Sequence, residues 1–96
     1  MQGSQNTEAF YARLKVQLEE QTSWPSLYLY KFIVPSEPTK IAQIEAIFDT
    51  LNPAINTRES AKGTFTSVSV KVTMENPDAV IQKYLEVSNI EGVISL

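Results

Sequence analysis

Apolar and polar positions alternate with a period of two in two stretches, residues 27–34 (LYLYKFIV) and 64–74 (TFTSVSVKVTM). Such alternation, rich in aromatic and β-branched residues, predicts strands. In the later stretch Val68, Val70, Val72 and Met74 share one face, and Phe65, Ser67, Ser69, Lys71 and Thr73 the other. In the earlier one Tyr28, Tyr30, Phe32 and Val34 point one way, and Leu27, Leu29, Lys31 and Ile33 the other. Only the second of these sets holds a charge, so the aromatic set is expected to face the core. Three more stretches carry helical spacing. Phe10, Leu14 and Leu18, with Tyr11 beside them, predict a helix over 7–20 capped by Asn6 or Thr7, with Lys15, Glu19 and Glu20 toward water. Ile41, Ile44, Ile47, Phe48 and Leu51 form the stripe of a second helix, capped by Ser36 or Thr39. Val80, Ile81, Tyr84 and Leu85 form that of a third, with Asn76 as cap, Pro77 at its first position and Asn89 at its end. Residues 54–60 read as a further strand, and the terminal GVISL as a last one. Residues 1–6 are small and polar, and are expected to be unstructured.

After the first helix the order is therefore β-α-β-β-α-β. That order fits an α+β fold, the ferredoxin-like sandwich: a four-stranded antiparallel sheet of order 4-1-3-2 with two helices on one face. Here it gains an extra N-terminal helix, within one domain over 7–96. The first and third strands would be central neighbours, and their outer sides would form one surface: Leu27, Leu29, Lys31 and Ile33 beside Phe65, Ser67, Ser69 and Lys71. An open sheet face of this kind is usually covered. Two covers are available, the N-terminal helix or a second subunit. Ala61-Lys62-Gly63 reads as a three-residue hairpin loop, with Gly63 supplying a positive φ. The same tip is also a candidate anion site, where Lys62 and backbone N–H groups near Gly63 would meet a carboxylate or phosphate beside Ser60 or Thr64.

Composition narrows the chemistry. The 96 residues include no cysteine and no histidine, which removes thiolate chemistry and the commonest general base and metal ligand. No cofactor or metal is expected, and catalysis has no constellation to recommend it: Ser67 and Ser69 lack a histidine to activate them, and Arg58 and Glu59 project to opposite sides of one strand. The net charge of −3 opposes binding to phosphate polymers. Lys62-Gly63 followed by an aromatic suggests an RNA-reading strand, but the ring sits one position off that pattern and its neighbours on the same face are serines. No apolar run approaches the ~18 residues of a membrane span, and the N-terminus lacks the look of a signal peptide, so a cytoplasmic protein is expected.

The hairpin SAKGTFTSVSV resembles the YbeD-like family of small bacterial proteins. The shared pattern is carried by Ser60, Lys62, Gly63, Phe65, Ser67, Val68, Ser69 and Val70, and extends more weakly to LYLYKF and IEGVISL. Ala61 stands where that pattern usually has serine, and Val34-Pro35 where a glycine is usual. The resemblance implies the same fold, similar to ACT-type regulatory domains, with no established catalysis, and it points toward lipoate metabolism. A non-enzymatic regulatory or interaction module is thus expected, binding a partner protein or a second copy through Lys62, Gly63, Phe65, Ser67, Ser69, Leu27, Leu29 and Lys31. The alternatives are an ACT-type small-molecule sensor and an RNA-binding domain. The sensor reading meets a loop after the first strand, VPSEPTK, that has no glycine.

Overall fold

A computed structural model describes residues 2–96, with side chains from Glu8 onward. Its elements run α1 (Gln2–Gln21), β1 (Ser26–Pro35), α2 (Pro38–Phe48) with a 3-10 turn (Asp49–Leu51), β2 (Ala54–Glu59), β3 (Phe65–Met74), α3 (Pro77–Val87) and β4 (Ile94–Ser95). The sheet order is β2-β3-β1-β4, the expected ferredoxin-like arrangement with an extra N-terminal helix. Of the stretch 1–6 expected to be unstructured, Met1 lies outside the described residues and the backbone of the others continues α1. The start of α1 therefore falls ahead of the expected caps, Asn6 and Thr7.

The central pair carries the fold. β1 and β3 run antiparallel in continuous register from Ser26↔Met74 to Pro35↔Phe65. Because side chains alternate, this register aligns Tyr30, Phe32 and Val34 with Val70, Val68 and Thr66 on one side. Those residues are buried, with Ile44 and Phe48 of α2 and Val80, Tyr84 and Val87 of α3 closing over them. The aromatic rings interlock. Tyr30 packs 4.8 Å from both Phe48 and Tyr84, and its hydroxyl donates to the Val80 carbonyl at 2.9 Å. Tyr28 and Tyr84 share a hydroxyl–hydroxyl bond of 2.9 Å. The two helices are tied at their exposed side by Lys83, whose ammonium donates to the Ile47 carbonyl at 2.8 Å and pairs with Glu86.

Several local expectations shift. α2 starts with Glu37 as a cap whose side chain makes no capping hydrogen bond, with Pro38 in its first turn. Ser36 does not cap, because its hydroxyl is bonded to buried Thr66 at 2.8 Å and its N–H to the Thr64 carbonyl at 3.0 Å. The α3 stripe is Pro77, Val80, Tyr84 and Val87, whereas Leu85 is exposed. Spacings of three and four keep that set on one side of the helix, and Leu85 falls about 100° off it. Ser88, not Asn89, is the residue at its end, while Asn76 caps the start as expected, accepting from the Ala79 N–H at 2.8 Å. β4 is only two residues long.

α1 does not cover the outer side of the sheet. It packs against α3 in the helical layer. Tyr11, Leu14 and Leu18 meet the core there, and Tyr11 lies 6.0 Å from the Tyr84 ring. Phe10, expected in that stripe, is exposed and packs edge-on to Tyr11. Lys15, expected toward water, is partly exposed and pairs with Asp78 of α3 at 3.0 Å. The Trp24 indole N–H donates to the Leu18 carbonyl at 3.1 Å, satisfying one of the last carbonyls of the helix.

Asn76→Ala should cost about 1 kcal/mol, the usual worth of a bonded cap, and Glu37→Ala should cost less than half of that; urea denaturation of the two variants measures the contrast. Burial pushes the phenols of Tyr30 and Tyr84 well above their ordinary range, with the Tyr28 hydrogen bond adding to the effect at Tyr84. Their folded pKa exceeds the unfolded one, so the stability they contribute is full below pH about 10 and is lost as pH rises beyond it. Urea midpoints should hold up to that pH and fall above it, and the fall should flatten in a Tyr30→Phe/Tyr84→Phe variant.

Candidate functional site

The register that buries one side of the sheet fixes what stands on the other. Across β2, β3 and β1, Ala54 lines up with Lys71 and Leu29, Asn56 with Ser69 and Lys31, and Arg58 with Ser67 and Ile33. Ile94 of β4 lies opposite Ile33, and the Leu96 N–H donates to the Lys31 carbonyl at 2.9 Å. The surface has a polar, cationic middle and two apolar ends. One end is Leu27 and Leu29, which are 60% and 57% exposed. The other is Phe65, Ile33, Ile94 and Leu96, of which Ile33 alone is half-buried. These fractions show that no part of this chain from Glu8 onward lies over the face.

Two shallow recesses mark the middle. One, of about 270 Å³, is lined by Lys31, Asn56, Thr57, Arg58, Ser67 and Ser69. The other, of about 230 Å³, is bounded by Ile33 and Phe65, with Arg58 and Ser67 shared between the two and Glu59 and Ser60 at the hairpin end. The structure thus brings Lys31, Ser67 and Ser69 together and sets Phe65 beside them. Leu27 and Leu29 lie further along the same face. Lys62 and Gly63 stand apart at the tip.

At that tip the loop is Ala61–Thr64, one residue longer than expected. The Ser60 N–H donates to the Phe65 carbonyl at 2.8 Å, so these two residues close the hairpin. The Gly63 N–H donates to the Ser60 carbonyl, and the Ser60 hydroxyl accepts from the Phe65 N–H. The Gly63 N–H and the Ser60 hydroxyl, two of the groups expected to help Lys62 hold an anion, are therefore engaged inside the turn. Gly63 does adopt the expected positive φ, 71°.

Arg58, Asn56 and Lys71 join the face without having been singled out as site residues. Their signal was present in the hairpin: fixing its closing pair at Ser60 and Phe65 places Arg58 opposite Ser67 and Asn56 opposite Ser69. Among the outward-facing strand positions described, Phe65 is the sole aromatic, so a base stacked on it would find no second ring. No group of three or more His, Cys, Asp or Glu side chains that could hold a metal ion occurs among the described residues, and no described helix is long and apolar enough to cross a membrane.

Gly63→Ala should cost about 1 kcal/mol, the strain of a left-handed φ, since the new methyl group would meet only Glu59 Oε1 at an ordinary contact distance of 3.8 Å. Gly92→Ala should cost clearly more, since φ is 84° and its Cβ would lie 2.9 Å from Pro35 Cγ. Thermal denaturation of the two variants gives the order.

Comparison with known proteins agrees with this architecture. The family described as "Protein of unknown function (DUF493)" matches residues 19–96. A UPF0250 protein of Yersinia enterocolitica is 31% identical over 83 residues, covering 83% of this chain and 95% of the relative. One from Shewanella halifaxensis is 28% identical over 83 residues, covering 83% and 94%. Among solved structures, the ACT domain from the GTP pyrophosphokinase of Chlorobium tepidum superposes with a TM-score of 0.52 at 14% identity, covering 74% of this chain and all of that domain. That likeness shows an ACT-like fold. The chain belongs to the DUF493 family, the UPF0250 or YbeD-like proteins.

Proposed function

We propose that this chain is a non-enzymatic regulatory or interaction module whose outer sheet face docks a partner protein. The observation that carries this reading is the exposure of Leu27, Leu29, Phe65 and Ile94 on one face that α1 leaves open. Exposed apolar side chains gathered on one side and interleaved with polar ones are the composition of a docking surface. Size argues for a protein over a small molecule. Small-molecule sites enclose about 300–1,000 Å³ and bury most of the ligand, whereas each recess here is smaller and open to solvent. In the loop after β1, Ser36 is bonded to Thr66 and Glu37 pairs with Lys40, so both side chains already have partners within the chain. The family resemblance adds lipoate metabolism as the setting in which to seek the partner.

Leu29→Asp and Phe65→Glu should leave stability within about 0.5 kcal/mol, because both positions are exposed, while abolishing capture of proteins that co-purify with the tagged wild-type chain from its native host. Equal capture by wild type and variants would contradict the docking reading. Thermal shifts against amino acids, nucleotides and lipoyl compounds should be flat. A ligand that stabilises the chain by about 2.7 kcal/mol at a hundred times its Kd would favour the sensor instead.

A further inference from the structure

The charges of this protein are segregated. Its outward-facing strand positions carry three cations, Lys31, Arg58 and Lys71, and no carboxylate. All eleven Asp and Glu residues lie on helices, loops or the inner side of β2. The nearest is Glu59, which borders the Phe65 recess at the hairpin end. In the helical layer the lysines are neutralised: Lys15 pairs with Asp78, Lys40 with Glu37 and Lys83 with Glu86. The three outer-face cations have no such partner among the described residues. A chain of net charge −3 thus presents one unneutralised positive face, set in apolar surroundings.

We infer that the outer face takes an acidic, partly apolar segment of a partner protein, its carboxylates meeting Arg58 and Lys31 and an apolar side chain resting on Ile33, Phe65 and Ile94. This rests on the docking reading above and names the chemistry of the occupant. Arg58 offers a planar fork that a carboxylate can engage with two bonds, and Ser67, Ser69 and Asn56 beside it provide hydrogen-bonding groups for the segment's backbone. Complementary charge would steer the encounter and set its register, while the apolar ends supply burial. A second copy is a poor occupant. A two-fold interface uses the same patch on both sides, and here it would press the three cations against three more. A nucleic acid is also a poor one. Three cations on an acidic molecule release few counterions, and Phe65 offers a single ring.

The test uses the full chain, labelled with ¹⁵N, and four synthetic probes: a peptide alternating Glu and Leu, its Gln/Leu isostere, its Lys/Leu counterpart and an oligouridylate of matched charge. The Glu/Leu peptide should shift the amides of Lys31, Arg58, Ser67 and Ser69. Its affinity should fall with rising salt, and by about tenfold or more in Lys31→Glu/Arg58→Glu. Lys31→Gln/Arg58→Gln, milder for folding, should show a smaller loss in the same direction. No binding by any peptide, equal binding of the Glu and Gln peptides, shifts confined to α1, or tighter binding of the oligouridylate would each overturn the inference. Self-association that strengthens with the wild-type cations in place would do so too. If the peptides fail while Phe65→Glu still abolishes capture of native partners, the acidic occupant is wrong and the docking face stands. If capture is unchanged, the docking reading itself has failed.

Discussion

The antiparallel pairing of β1 with β3 is the constraint on which the rest depends. It runs without a bulge from Ser26↔Met74 to Pro35↔Phe65, and both strands alternate over its whole length. A slip of one residue would turn one strand over relative to the other, bringing under the helices either Lys31 in place of Tyr30 and Phe32 or Lys71 and the serines in place of the valines. The register is thereby held by the full apolar content of the core. Once it is set, α2 and α3 have one place to go: Phe48 and Tyr84 close on the Tyr30 ring, and the Tyr30 hydroxyl finds the Val80 carbonyl, so that the large polar-tipped aromatic is buried with its hydrogen bond made. The same register decides what the opposite side displays, because whatever is not core on these strands is exposed together.

That displayed side differs chemically from the rest of the molecule. The helical layer is laced with acidic residues and its lysines are paired. The open sheet face holds unpaired cations between two exposed apolar ends. Self-repulsion among these cations is modest at physiological ionic strength, since charges more than about 8 Å apart are largely screened. Paired with carboxylates in a desolvated interface they would count for far more. The membership in DUF493 and the ACT-like fold fit a small module of this kind without naming what it contacts.

Much of this was legible in the residues. The period of two in LYLYKFIV and TFTSVSVKVTM specified both faces of the central pair, and Asn76-Pro77 announced the start of α3. What escaped was set by contacts between distant segments. Ser36 looked like a cap, but its hydroxyl was drawn to Thr66 across the sheet. Phe10 and Tyr11 both suit a helical stripe, and only the position of Tyr84 selects Tyr11. Leu85 yielded to Val87 because the side of α3 turned to the core is the one shared by Pro77, Val80, Tyr84 and Val87. Arg58 and Asn56 stood in a strand with weak alternation of its own, and took their place on the face from the register with β3. Whether α1 or another molecule covers the sheet could not be read from its amphipathic pattern, since one apolar stripe fits α3 as well as it fits Leu27 and Leu29.

The central claim is that the chain on its own leaves this face bare. Relaxation enhancement of methyl resonances by a soluble gadolinium chelate tests it most directly. The account predicts strong broadening of the Leu27, Leu29 and Ile94 methyls at every protein concentration, with Val70 and Val80 unaffected. Protection of those leucines, at all concentrations or growing with concentration, would show that α1 or a second copy already occupies the face and would contradict it.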